Sequence, residues 1–186
     1  MKKIHIIIAV LAIIAVQGLP LYFLGRTFTC DCWPFVSFDA PATSENSQLL
    51  IDWYSFIHVL YGVFAYFIAK TVVNKKYNWP IGVYLLLALV ISAGWEIYEN
   101  TNYFINIYKE LSPFANYVGD SMINSLVDTL SVGLGFLMAR YLPIWLVILI
   151  AVTLEILVNW NINDGFFISS TMFFYYPLAA MLYWLN

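Results

Sequence analysis

The chain has 186 residues, of which 62% are hydrophobic and only 10% are charged, and its mean hydropathy is +0.79. A water-soluble domain of this length carries far more polar surface, so the composition excludes that class and predicts a membrane protein. The formal net charge is −3 and no basic patch occurs along the chain, which excludes nucleic acid as the expected partner.

The first apolar run extends from Ile4 to Leu24 and follows Lys2 and Lys3. This start resembles a signal peptide, but the run is longer than the apolar part of a typical signal peptide, and no small-x-small cleavage site follows it. We therefore predict a retained first helix over 4–24. Cleavage of the segment is the alternative.

Five further apolar runs approach the length, about 20 residues, that a helix needs to cross the hydrocarbon core. They predict helices over 51–71, 80–99, 119–140, 143–160 and 167–185, with an external loop over 25–50. Pro80 and Pro143 stand near helix starts, where a missing N–H is tolerated. The expected fold is an all-α integral membrane protein, a single domain over 1–186 with about six transmembrane helices.

Basic residues are unevenly distributed between the two ends of these helices. If the N-terminus is cytoplasmic, six of the eight fall on the cytoplasmic side: Lys2, Lys3, Lys70, Lys75, Lys76 and Arg140. Arg26 and Lys109 then face outwards. Because Lys and Arg set membrane orientation, both termini are predicted to be cytoplasmic.

The eleven acidic residues show the opposite distribution, since all of them fall in external loops or in the outer halves of helices. Acidic residues contribute little to membrane orientation, so this asymmetry needs another cause. A polar site that faces the periplasm or the cell exterior is the simplest one.

Polar side chains form stripes on the predicted helices at about 100° per residue. The stripes contain Asp52, Ser55, His58 and Gly62; Ser92, Glu96 and Glu99; Asp120, Asn124, Asp128, Ser131 and Gly135; and, more briefly, Glu155 and Asn159. At about 1.5 Å per residue, Asp128 and His58 lie on the order of 10 Å below the outer helix ends.

Carboxylates at this depth are costly, at about 2.5–3.5 kcal/mol each near the membrane centre. They must share protons, pair with a cation or line a wet cavity. A divalent metal ion would supply the missing positive charge, because oxygen ligands with one imidazole suit hard or borderline cations. The candidate ligands are Asp52, His58, Glu96, Glu99, Asp120 and Asp128.

Each of these residues also has a structural interpretation. The alternatives are helix caps or interfacial positions for Asp52 and Glu45, a packing role for His58, an interhelical hydrogen bond for Asp128 with Asn124, and an interfacial acid for Glu155. The positions of several such residues on facing stripes at a common depth favour a site.

Two smaller features complete the pattern. Cys30 and Cys32 lie in the external loop, and a disulfide between residues two apart is strained, so free or intermolecularly paired thiols are expected. A metal or redox role for them is the alternative. The glycines predicted to pack helices together are Gly62, Gly133 and Gly135.

Several motifs resemble a family of bacterial inner-membrane proteins of unknown function. They are Ser44-Glu45-Asn46-Ser47-Gln48, Asp52-Trp53-Tyr54-Ser55 with His58 and Gly62, Trp95-Glu96-Ile97 with Glu99-Asn100, Gly119-Asp120-Ser121 with Asn124-Ser125 and Asp128-Thr129, Ala139-Arg140, Leu142-Pro143 and Glu155. The resemblance covers residues 25–178 and implies a location in the bacterial inner membrane. It supports the polar site without implying a reaction.

The chain departs from the family pattern in its last external loop. Asn163-Asp164-Gly165 and Ser169 stand where an Arg-Asp-Asn segment followed by Asn is expected, which puts a role for that loop in doubt. A more distant likeness to VanZ-type membrane proteins hints at cell-envelope biology.

The favoured function is a membrane-embedded enzyme that hydrolyses or transfers a group on a lipid or lipid-linked envelope substrate. His58, Glu96 and Asp128 are the expected catalytic residues. The supporting or substrate-binding residues are Glu45, Gln48, Ser55, Asn100, Asn124 and Glu155.

Two other functions remain open. A non-catalytic envelope protein would bind a lipid or a partner with the same stripes. A proton- or ion-coupled transporter would use the intramembrane acids as a pathway, but the polar stripes end near mid-membrane and no inverted repeat occurs.

Overall fold

The computed structural model describes residues 3–30, 47–111, 117–171 and 175. Its helices are α1 (Lys3–Phe23), α2 (Trp53–Ile68), α3 (Asn74–Tyr77), α4 (Ile81–Glu99), α5 (Asn102–Leu111), α6 (Met122–Tyr141) and α7 (Ile144–Ile162). A π-helical segment, Ala69–Val73, joins α2 to α3, so that the two form one rod.

Five rods in the described part are long and apolar enough to cross a membrane: Lys3–Phe23, Trp53–Tyr77, Ile81–Glu99, Met122–Tyr141 and Ile144–Ile162. Their ends lie close to the predicted ones, with α2 and α3 extending beyond residue 71, which confirms an all-helical chain with several apolar spans. Of the predicted last helix over 167–185, residues 167–171 and 175 are helical, and the rest lies outside the described residues.

The amphipathic helix α5 was not predicted from the sequence. Its ten residues are too few to cross a membrane, so it is not among the apolar runs that predict membrane-spanning helices. Phe104 and Ile105 are buried, whereas Asn102 and Tyr103 are exposed. The helix therefore lies over the acidic end of the bundle with its apolar side turned inwards.

The closest helix pair is α2 with α6. A Cβ atom on Gly62 would overlap the carbonyl oxygen of Val132, and one on Gly135 would overlap the carbonyl oxygen of Val59. The two backbones touch, which is the arrangement that small residues permit between membrane helices. The packing role predicted for these two glycines is therefore confirmed.

This contact sets the register of the polar stripes. Gly62 lies against Val132, and one turn earlier on each helix His58 faces Asp128. The two helices run parallel, so their stripes meet on the same side of the contact. Glycine packing thus positions the polar residues above it.

An apolar cluster fills the bundle beyond the contact, towards the end that carries Lys70 and Arg140. Its buried members are Tyr66, Ala69, Tyr84, Leu85, Ala88, Leu89, Val132, Phe136, Ala139 and Val147. Within the part of the chain that the structure describes, the polar stripes do not continue through this cluster. The described polar stripes are therefore confined to the acidic half of the bundle.

Candidate metal centre

Three side chains from three helices converge above the glycine contact: His58 of α2, Glu96 of α4 and Asp128 of α6. Nε2 of His58 is 3.3 Å from Oε1 of Glu96 and 3.9 Å from Oδ2 of Asp128. All three residues are buried, and one potential ligand atom of each lies within 4.8 Å of those of the other two. This separation suits ligands that share a single metal ion.

Glu96 also belongs to a second group, with Glu99 and Asp120. One potential ligand atom of each again lies within 4.8 Å of the others. Glu99 is the last residue of α4, one turn after Glu96, and Asp120 lies just before α6. The sequence placed Glu96 and Glu99 on one stripe and Asp120 on another, and the fold brings the three together.

Asp120 is firmly oriented by its neighbours. Tyr117 donates its hydroxyl hydrogen to Oδ1 at 2.9 Å, and the Asn100 amide donates to Oδ2 at 2.7 Å. Burial raises the pKa of Asp120 to about 6, and the hydrogen bonds from Asn100 and Tyr117 partly oppose that rise. The supporting role predicted for Asn100 is thus one of holding this carboxylate.

A cavity of about 30 Å³ connects the two groups. One water needs about 10–15 Å³, so the cavity holds only small ligands. Its described lining is Ser47, Tyr54, His58, Glu96, Glu99, Tyr108, Tyr117, Asp120 and Asp128, with no Lys or Arg among these residues. Among the described lining residues, the acids therefore gather with the imidazole of His58 but with no permanently charged basic side chain.

Several buried polar atoms at this place have no hydrogen-bond partner. They are Nδ1 of His58, Oε1 of Glu96, Oδ1 of Asp128 and Oδ1 of Asn124. Leaving one such group without a partner costs about 1–3 kcal/mol, and more when it is charged. Their donor set of one imidazole and several carboxylates fits a divalent cation.

Arg26 is close to the acidic residues but does not neutralise them. Its guanidinium donates hydrogen bonds to the carbonyl oxygens of Leu24 and Val118 and to Oδ1 of Asn102. It therefore clamps the end of α1 to the segment that carries Asp120. The positive charge of Arg26 therefore interacts with these oxygen atoms at the periphery of the bundle.

The segment before α6 is held from two further sides. Gln48 donates from Nε2 to the carbonyl oxygen of Gly119 at 2.6 Å. Gly119 has a φ of +93°, a backbone conformation that glycine adopts without strain. Gln48, predicted as a supporting residue, therefore acts on Asp120 through the backbone.

Asp52 has a structural role as the N-cap of α2. Its Oδ1 accepts hydrogen bonds from the backbone N–H groups of Tyr54 and Ser55, and its Oδ2 accepts one from Ser47. Ser55 completes the capping box by accepting from the Asp52 backbone. The structure does not bring Asp52 into either carboxylate group, so the capping interpretation accounts for its contacts.

Asp52→Asn tests this assignment. Asn keeps Oδ1 as the N-cap acceptor but places an amide NH2 group where Oδ2 accepts from the Ser47 N–H, so the variant should be less stable than the wild type by about 1–3 kcal/mol. Its metal content should be unchanged, because the variant removes a charge but no ligand. Loss of bound metal in a normally folded Asp52→Asn protein, measured by elemental analysis, would return Asp52 to the ligand set.

The other predicted supporting residues have separate places. Asn124 donates from Nδ2 to the Leu49 carbonyl oxygen at 2.8 Å, which ties the start of α6 to the segment before α2. Glu155 accepts from the Phe166 backbone N–H and belongs to neither carboxylate group. Glu45 lies outside the described residues.

The cysteine prediction needs a correction. Cys30 is disulfide-bonded, so the expectation of a free thiol there is wrong. Cys32, the other cysteine of the chain, lies outside the described residues.

The sequence reasoning also missed contributors to the site. Tyr54, Tyr108 and Tyr117 line the cavity, but aromatic residues are so frequent in this chain that nothing singled them out. Gln17 of α1 is fully buried and donates to the backbone oxygen and the hydroxyl of Ser125. A lone polar residue within an apolar run was a signal that could have identified Gln17.

Comparison with known proteins identifies the family. Residues 21–186 match the family described as "Protein of unknown function (DUF2585)". The chain belongs to this family. The membership inferred from its motifs is therefore confirmed.

Relatives in other bacteria match almost the whole chain. A UPF0314 protein of Sinorhizobium fredii is 36% identical over 179 residues, which cover 96% of this chain and 89% of the relative. A UPF0314 protein of Brucella anthropi is 35% identical over 175 residues, which cover 94% of this chain and 87% of the relative. One of Paracoccus denitrificans is 32% identical over 178 residues, which cover 95% of this chain and 90% of the relative. No solved structure matches the chain.

Proposed function

We propose that the protein is a metal-dependent membrane enzyme that hydrolyses or transfers a group on a lipid or lipid-linked envelope substrate. The observation that carries the proposal is the convergence of His58, Glu96 and Asp128, all buried, with potential ligand atoms within 4.8 Å of one another. Purely structural roles would pair these polar atoms with hydrogen-bond donors and acceptors. Here several of them have none.

The chemistry follows from a divalent cation held by these three side chains. Such an ion would activate a water molecule and polarise a phosphoryl or acyl oxygen of the substrate. A neighbouring carboxylate, Glu99 or Asp120, would accept the proton that the water loses. The cavity that joins the two groups places these acids within reach.

A second cavity supports a lipid as the substrate. It measures about 460 Å³, within the range of about 300–1,000 Å³ of small-molecule sites, and lies between α2 and α4. Its apolar lining includes Phe64, Ile68, Leu87 and Ile91, and His58 lines both this cavity and the acidic one. An apolar chain lying here would bring its polar end to His58.

The test is turnover of lipid by the reconstituted full-length protein. We expect vesicles of bacterial envelope lipid extract to show conversion of at least one lipid, detected by mass spectrometry, that requires Mn²⁺ or Zn²⁺ and stops with EDTA. His58→Gln should abolish it, whereas the same change at the exposed His5 of α1, His5→Gln, should retain it because His5 lies outside both ligand groups. A metal-loaded protein that leaves every lipid unchanged would favour the non-catalytic lipid-binding alternative.

In this proposal the protein lies in the bacterial inner membrane. The site faces the periplasm or the cell exterior, and both termini are on the cytoplasmic side. The bias of Lys and Arg towards one end of the spans supports this orientation. Reporter fusions after Lys75 and after Asn186 should both read cytoplasmic. A periplasmic signal at either position would reverse the site and remove the argument for an envelope substrate.

A further inference from the structure

We propose that the site holds two divalent cations, the second bound by Glu96, Glu99 and Asp120, with Glu96 bridging the pair. The inference rests on the proposed function, since it adds a neighbour to the ion at His58 and Asp128. It assigns Glu99 and Asp120 as ligands rather than as free bases. A paired site can hold both the attacking and the leaving oxygen of a substrate.

The geometry of Glu96 is the first argument. It is the one residue common to both groups of potential ligands, each confined within 4.8 Å. A carboxylate has two oxygens and can therefore serve two ions at once. Its side chain is 99% buried, and Oε1 has no hydrogen-bond partner. Glu96 thus lies between the two ligand sets, with Oε1 turned towards His58.

Charge balance is the second argument. The two groups contain four carboxylates, those of Glu96, Glu99, Asp120 and Asp128, and one imidazole. One divalent ion would offset two of the four negative charges, and a second ion would offset the others. Without it, like charges would remain unpaired in a buried place, which the low-dielectric surroundings disfavour.

The position of Glu96 and Glu99 on α4 also favours a second cation. Both lie in the last turn of the helix, which has no basic residue. The C-terminal end of a helix carries a partial negative charge, so acids are unfavourable there unless a cation is close. The cavity beside them is lined by three tyrosines and by no described Lys or Arg. A bound cation would satisfy both acids and the end of the helix.

The experiment is metal counting on the purified full-length protein after dialysis against Mn²⁺ and removal of loose ions. We expect two ions per wild-type chain and an electron paramagnetic resonance spectrum of coupled Mn²⁺. Asp128→Asn and Glu99→Gln should each keep one ion and lose the coupling. Glu96→Gln should lose both, and the control Glu155→Gln, an acid outside both groups, should keep both.

The outcomes separate the two proposals. One uncoupled ion in the wild type, unaffected by Glu99→Gln, overturns the second site and leaves the single-ion enzyme intact. No ion in the wild type overturns the proposed function itself. Two ions that both survive Glu96→Gln in a folded protein overturn the bridging role. Circular dichroism and size-exclusion profiles establish folding for each variant.

Discussion

Asp128→Asn should lower metal affinity by about 100-fold or more, while the protein still inserts and folds. Mutating residues that only support metal ligands already costs about 10–100-fold, and Asp128 is assigned as a ligand itself. The amide keeps the size of the side chain and can hydrogen-bond across helices. The variant therefore separates the two interpretations of Asp128, as a ligand and as a link between helices.

Thermal unfolding in detergent gives the sharpest form of this test. An ion at about 100 times its Kd stabilises the folded state by about 2.7 kcal/mol, and wild type should show that increase when Mn²⁺ is added. Asp128→Asn should lose the part of that increase that comes from the ion at His58, yet without metal it should be at least as stable as wild type, because it removes one acid from a buried acidic cluster. If adding Mn²⁺ stabilised Asp128→Asn as much as the wild type, the assignment of Asp128 as a metal ligand would be wrong.

Asp164→Asn is the matched control. Asp164 is also buried, but its Oδ1 accepts hydrogen bonds from the Gly165 N–H at 2.7 Å and from the Ser169 hydroxyl at 3.0 Å. It belongs to neither ligand group. The same chemical change at this position should leave the metal-induced shift at the wild-type value.

Gly62→Ala and Gly135→Ala should produce the largest loss of stability among single-methyl changes. Each new Cβ would overlap a backbone carbonyl oxygen of the facing helix, and backbone cannot move aside as a side-chain tip does. Overpacking typically costs about 1–3 kcal/mol, and these contacts should reach or exceed the upper end. The separation of α2 from α6 should also move His58 away from Asp128, so metal binding should weaken too.

Gly94→Ala provides the control within the same chain. A Cβ atom on Gly94 of α4 would meet nothing within 4 Å. Because Gly is about 0.5–1 kcal/mol less favourable than Ala inside a helix, this variant should be as stable as the wild type or more stable. Equal melting temperatures for all three alanine variants would show that the α2–α6 contact is not as close as described.

The sequence predicted the spans well because lipid imposes a simple requirement. Helices α1, α4 and α7 begin and end within about two residues of the predicted limits, since a bilayer needs about 20 apolar residues and proline marks two of the starts. The stripes on α4 and α6 were also correct in outline, because helical periodicity alone places Glu96 with Glu99 and Asn124 with Asp128.

The remainder depended on contacts between distant parts of the chain. The sequence predicts Arg26 on the same side of the membrane as the acids, but the structure shows it bound to the carbonyl oxygen of Val118, 92 residues away. Asp52 shares a stripe with His58, but its carboxylate accepts hydrogen bonds from the backbone N–H groups of neighbouring residues. Tyr108 reaches the cavity from a helix too short to be predicted. Helical periodicity does not reveal these contacts.

Anomalous diffraction from crystals of the full-length protein grown with Mn²⁺ or Zn²⁺ would show directly whether the three buried side chains hold a metal ion. We expect a peak among His58, Glu96 and Asp128, with the imidazole nitrogen and carboxylate oxygens about 2.0–2.2 Å from the ion. Contradiction would come from a well-ordered map at the same metal concentration with no peak there, and with these side chains hydrogen-bonded to one another or to water.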